Sequence, residues 1–128
     1  MTRALADTSL MIAFETGRPL SDLPLPDQLA VSIITIGELR AGVLAASDLG
    51  VRDRRLITLS TASTLDPLPI DGEVAEAWAR LRIALRDAGR RMPVNDSWIA
   101  ATAIAHGIPV VTQDDDYDDV PGLEVIKV

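Results

Sequence analysis

Apolar and polar positions along the chain fall into short runs separated by helical stripes. Arg3–Ala6 is a short apolar run closed by Asp7, which suits a buried strand. Thr8–Glu15 then carries Leu10, Ile12, Ala13 and Phe14 at helical spacing. Gly17 closes that helix, and the proline-rich stretch 18–27 reads as a loop. The β-branched run Leu29–Ile34 predicts a second strand. Thr35 opens a helix to about Ala46, and Thr35 with Glu38 has the form of a capping box. Another helix is expected over Val51–Ala62, followed by Leu65–Ile70, which holds two prolines and so reads as a short edge strand.

Asp71 is a good N-cap for a long helix to about Ala88, with Val74, Trp78, Leu81 and Leu85 on one face. Gly89 stops it, and Pro93 holds Met92–Val94 extended. Asn95 is expected to cap a helix over Asp96–His106, which Gly107 ends. Ile108–Thr112 is a strongly apolar strand, Asp114–Asp119 an acidic turn, and Leu123–Val128 a last alternating strand. Strands alternating with helices imply an α/β fold whose sheet is parallel and covered on both faces. A chain of 128 residues is expected to form one domain spanning 1–128. In such sheets ligands bind beyond the carboxyl ends of the strands.

Composition narrows the chemistry. Twelve Lys and Arg against 19 Asp and Glu give a net charge of −7, which excludes a generic basic nucleic-acid binder. Cysteine is absent, so disulfides, zinc-thiolate sites and thiol nucleophiles are excluded. Aromatic residues make up only 3%, which argues against a base-stacking platform. Asp7 interrupts the first apolar run, and no stretch is long enough to span a membrane. The expectation is a soluble, cytoplasmic protein with a surplus of carboxylates.

Five acids fall at one end of the expected sheet: Asp7 after the first strand, Glu38 a turn beyond the second, Asp96 opening the helix before the Ile108–Thr112 strand, and Asp114 and Asp116 after it. Taken singly, most have plain structural readings: Glu38 closes a capping box, Asp96 complements a helix dipole, and Asp114–Asp119 is a solvated turn. Asp7 resists such a reading, because an acid ending a buried strand needs a partner. A converging carboxylate cluster is costly without cations, and hard divalent ions with oxygen ligands, Mg²⁺ or Mn²⁺, relieve that cost. Asp114, Asp116 and Asp118 have calcium-loop spacing, but Asp119 and Val125 stand where that loop needs Gly and Glu. No glycine-rich phosphate loop or Ser-His-Asp arrangement is present. Arg82, Arg86 and Arg90 form one helical stripe, which suits phosphates, an acidic partner or a solvated face.

The chain resembles the PIN-domain ribonucleases, in particular the VapC-type toxins of toxin–antitoxin pairs. The resemblance rests on Ala6-Asp7-Thr8-Ser9, on Ile36-Gly37-Glu38-Leu39-Arg40-Ala41-Gly42, on the helix start Asn95-Asp96-Ser97-Trp98-Ile99-Ala100-Ala101-Thr102-Ala103, and on Val111-Thr112-Gln113-Asp114-Asp115-Asp116-Tyr117. Tyr117 stands where Phe is more usual. The resemblance implies a PIN-like three-layer α/β/α sandwich with a central, mostly parallel sheet of four to five strands. It implies a Mg²⁺- or Mn²⁺-dependent endoribonuclease with Asp7, Glu38, Asp96, Asp114 and Asp116 catalytic. Asp7, Asp96 and Asp116 would hold metal, and Thr8, Ser9, Asn95 and Thr112 would line the substrate. The implied partners are RNA, a VapB-like antitoxin and a second copy in a homodimer. A silent PIN-like interaction module and a DNA-directed nuclease are the alternatives.

Overall fold

The computed structural model describes residues 2–128. Four strands, β1 (Arg3–Ala6), β2 (Gln28–Ala30), β3 (Val110–Thr112) and β4 (Val125–Lys127), form one sheet in the order β2-β1-β3-β4. All three pairings are parallel, with Leu5 opposite both Ala30 and Val110, and Val110 opposite Val125. Among the described residues five α-helices, α1 (Thr8–Thr16), α2 (Ile33–Ala45), α3 (Leu49–Ser63), α4 (Gly72–Asp87) and α5 (Val94–His106), and one short 3-10 turn over Asp115–Tyr117 complete the fold.

The two-residue period of the strands divides the interior into two cores. Leu5, Ala30 and Val110 face α4 and α5, packing on Leu81, Leu85, Ile99, Ala100 and Ala103. Ala4, Ala6 and Val111 face the opposite way, onto Leu10 and Met11 of α1, Leu39 and Val43 of α2, and Leu59 and Ala62 of α3. The result is the expected three-layer sandwich. The chain first builds outward from β1 to β2 and later returns to build β3 and β4 on the other side. Strand order therefore reverses between β1 and β3, and their carboxyl ends flank the crevice where ligands bind in such sheets.

Several local expectations are corrected. The strand expected over Leu29–Ile34 ends at Ala30, because residues 31–33 leave β1 and bond instead to Leu65 and Leu68. Ser32, not Thr35, is the N-cap of α2; its side chain accepts from the Ile34 amide at 3.0 Å. A short β-branched run reads equally well as strand or buried helix, and here it is divided between the two. The expected strand Leu65–Ile70 reduces to a single bridge between Leu68 and Ser32, because Pro67 and Pro69 have no N–H to donate. The sheet accordingly has four strands. Helix α5 starts at Val94, so Val94 is not extended and Asn95 is not its cap; Pro93 holds the cap position with no side-chain hydrogen bond. Asp71 does cap α4, accepting from the Val74 amide at 3.0 Å.

Candidate active site

Asp7 follows β1 directly and caps α1, so one residue joins the sheet edge to the first helix. It is 2% exposed. Burying a carboxylate requires dense hydrogen bonding, and Asp7 has it. Its Oδ2 accepts from Ser9 Oγ at 2.8 Å, Thr112 Oγ1 at 2.9 Å and the Ser9 amide at 3.4 Å. Its Oδ1 accepts from the Tyr117 hydroxyl at 2.8 Å. The same hydroxyls tie down the β3 end, since Ser9 Oγ accepts from the Gln113 amide and Thr112 Oγ1 from the Asp114 amide.

Asp96 lies in the first turn of α5 and reaches the same place from the other layer. Tyr117 lies between the two acids. Its hydroxyl has one proton, which the shorter contact gives to Asp7; the contact to Asp96 Oδ1 is 3.3 Å. The ring is fully buried among the side chains of the α4–α5 layer. Burial and the charges of Asp7 and Asp96 push the phenol's pKa far up, so it remains a donor. Asp96, Asp114 and Asp116 each bring a carboxylate oxygen within 4.8 Å of the others. Burial pushes the Asp96 pKa up to about 7, and the neighbouring Asp116 and Asp7 add to the rise. Asp114 is raised for the same reasons, burial first and then Asp7, Asp116 and Asp115, while Arg18 opposes the shift.

Glu38 is held at the rim by a relay. The Thr35 hydroxyl, fully buried, donates to Thr8 Oγ1 at 2.9 Å, and Thr8 donates to Glu38 Oε1 at 2.8 Å. Thr35 and Glu38 thus serve the site and not a capping box. The structure brings Asp7, Asp96, Asp114 and Asp116 together, and links Glu38 to them through Thr8, which follows Asp7 in the chain. Thr8 and Thr112 are buried, Ser9 is half-buried, and Asn95 is exposed in the first turn of α5. Two participants were not legible in the sequence as site residues. Thr35 was masked by its capping-box spacing. Tyr117, the chain's single tyrosine, carried one signal, a hydroxyl at an apolar position within an acidic run.

The cluster fits a hard divalent cation. Lys127 pairs with Asp115 and Asp118 on the outer side of the acidic turn. Among the described residues no cation pairs with Asp7, Asp96, Asp114 or Asp116. The donors are all carboxylate oxygens, the set that suits Mg²⁺ or Mn²⁺ over softer metals.

Comparison with known proteins adds the family. Residues 4–123 match the PIN domain. The chain is 52% identical to "Ribonuclease VapC4" of Mycobacterium tuberculosis over 126 residues, covering 98% of this chain and 97% of the relative. It is 46% identical to "Ribonuclease VapC5" of the same organism over 125 residues, covering 95% and 93%. Its fold superposes with a TM-score of 0.90, at 42% identity and full coverage of both chains, on the crystal structure of VapBC-5, a member of the VapBC family of toxin–antitoxin systems from M. tuberculosis.

Proposed function

The chain belongs to the PIN-domain family, and from that premise we propose that it is an endoribonuclease of the VapC type, the toxin of a type II toxin–antitoxin pair. The observation that carries the reading is the convergence of Asp7, Asp96, Asp114 and Asp116 at the β1–β3 crevice with, among the described residues, no ion pair to a protein cation. Asp96 and Asp116 would hold Mg²⁺ or Mn²⁺, with the buried Asp7 behind them as the third acid of the set. A divalent ion in such a site lowers the pKa of bound water and offsets charge building on a phosphate.

The chain's own residues divide the remaining work. Ser9, Thr112 and Tyr117 fix the Asp7 carboxylate, so its orientation needs no rearrangement when substrate arrives. Glu38, held by Thr8, orients the attacking water as an acceptor or serves a second ion. Asp114 supplies further negative charge beside Asp116, and burial together with the charges of Asp7, Asp116 and Asp115 makes it hold a proton more readily than a free carboxylate does. Asn95, exposed one residue before Asp96, and the half-buried Ser9 would line the substrate. The substrate is RNA, and the 128 residues act as one domain. The partners are a VapB-like antitoxin and a second copy in a homodimer. Among the described residues no helix is long and apolar enough to cross a membrane.

Asp96→Asn tests the assignment. Purified free of its antitoxin, the variant is expected to keep its fold and lose Mg²⁺-dependent cleavage of cellular RNA by at least about a hundred-fold, the scale of losing a preorganised charge at the reacting centre. Cleavage at the wild-type rate by the pure variant would overturn it.

A further inference from the structure

Beside the acidic crevice the surface charge reverses sign. Arg82, Arg86, Arg90 and Arg91 line a concavity of about 550 Å³ floored by Leu85 and Met92. Two features of the chain build it. Arg82 and Arg86 lie one turn apart on α4. Beyond the helix, Gly89 at φ +67° reverses the chain, and the Arg90 amide returns to the Leu85 carbonyl at 2.9 Å. That reversal brings Arg90 and Arg91 around to the same hollow.

The four guanidinium groups are poorly matched by the protein. Arg86 pairs with Asp87 at 3.2 Å, both exposed. Among the described residues Arg82, Arg90 and Arg91 form no ion pair, in a chain that carries seven more acids than bases. Like charges converging on a hollow repel one another and favour an anion within it. Arg82 is also oriented in advance. Its guanidinium sits 5.3 Å from the centroid of the Trp78 ring. Trp78 in turn stacks on Trp98 at 4.3 Å and donates to Ser97 Oγ at 3.0 Å. A stacked guanidinium presents its planar edge outward, the geometry that suits a phosphate.

The hollow is joined to the acidic cluster. Arg90 Nη2 donates to the Asp116 backbone carbonyl at 3.2 Å, and Ser97, which anchors Trp78, follows Asp96 directly. We infer that this arginine hollow is a phosphate-binding subsite that holds the backbone of an RNA strand flanking the bond cut at the acids. The inference rests on the ribonuclease reading above and goes beyond it by placing the path of the substrate. Net charge gives the strand no general attraction, so this patch supplies it.

The test is a triple variant, Arg82→Gln with Arg86→Gln and Arg91→Gln. Arg90 is kept because it holds the Asp116 loop. Two readouts are taken with wild type beside it: steady-state cleavage of an RNA oligonucleotide with Mg²⁺, and fluorescence-anisotropy binding of the same RNA in EDTA across a salt series. The expected result is a KM about ten-fold higher or more with kcat within two-fold of wild type. The slope of log affinity against log salt should become shallower by about 2, at about 0.7 per phosphate contact on a single strand. The corresponding triple Lys variant should restore most of the salt slope. Unchanged KM and slope in a variant that melts like wild type would overturn the inference and leave the stripe a solvated face. Unchanged RNA behaviour with loss of antitoxin co-purification would overturn it in favour of an acidic protein segment. If wild type itself cuts no RNA, the ribonuclease reading fails, and the anisotropy series still decides whether the hollow binds the strand.

Discussion

Replacing Tyr117 by Phe removes one hydroxyl and leaves the buried ring in place, so its consequence follows from hydrogen bonds alone. The hydroxyl is the donor to Asp7 Oδ1 at 2.8 Å; among the described residues that oxygen has no other donor, while Oδ2 keeps Ser9 and Thr112. A hydrogen bond to a charged group contributes about 1.5–3 kcal/mol net, and the contact lies where both residues are almost wholly buried, so little of it is screened. An unfolding entropy of about 2.1 cal/mol/K per residue over 128 residues turns this into a fall in Tm of about 6–11 °C. The assay is thermal and urea unfolding at pH 7.5 in EDTA, with Asp7→Asn as the second arm of a double-mutant cycle. A neutral amide is a weaker acceptor, so in the Asp7→Asn background the Tyr117→Phe effect should shrink to about 1 kcal/mol. A Tm within 2 °C of wild type, or the same loss in both backgrounds, would refute the view that this phenol is the buried carboxylate's partner.

Asp96 carries a pH dependence. Its folded pKa of about 7 lies above the ordinary carboxylate value, so between about pH 4 and 7 the folded state holds a proton that the unfolded state has released. Its contribution to stability therefore falls as pH rises through that window in metal-free buffer, and Asp96→Asn should flatten the fall in a Tm series; an unchanged slope would count against the shift. Protons and divalent ions compete for the same oxygens, so 5 mM Mn²⁺ should raise Tm more at pH 8 than at pH 6, and an equal rise at both would remove Asp96 from the ligand set. Ser32→Ala should cost about 1 kcal/mol through loss of the α2 cap with cleavage unchanged. Thr35→Val should cost about the same stability and also lower cleavage, because Thr35 steadies the Thr8–Glu38 contact. Equal cleavage by the two variants would contradict that division.

The periodic parts of the fold were legible from residues alone. Strand β1, the helix over 72–87, the body of the last helix from Asp96 to His106, and the glycine ends at Gly17 and Gly107 follow from apolar spacing and backbone freedom, while the start of that last helix does not. The stretch 29–36 was not legible, because Val31, Ile33, Ile34 and Ile36 suit a strand or a buried helix equally. The choice is made by residues 65–68, which take the Val31–Ile33 backbone away from β1. The four Asp were readable because each follows a strand or opens a helix, whereas Glu38 lies within α2. What holds them was not. Tyr117 and Thr35 act through partners 110 and 27 positions away, distances over which spacing in the sequence carries no signal.

The pairing of β1 with β3 ties the site to the stability of the whole molecule. The Asp7 amide donates to the Val111 carbonyl at 2.9 Å, in the middle of the sheet, with a core on either face. The bond joins the two inner strands of the sheet, so its hydrogen exchange is expected to proceed through global unfolding. Each 1.4 kcal/mol lost anywhere in either core should speed exchange at Asp7 about ten-fold. A single backbone amide thus reports the free energy of the entire fold from inside the acidic crevice.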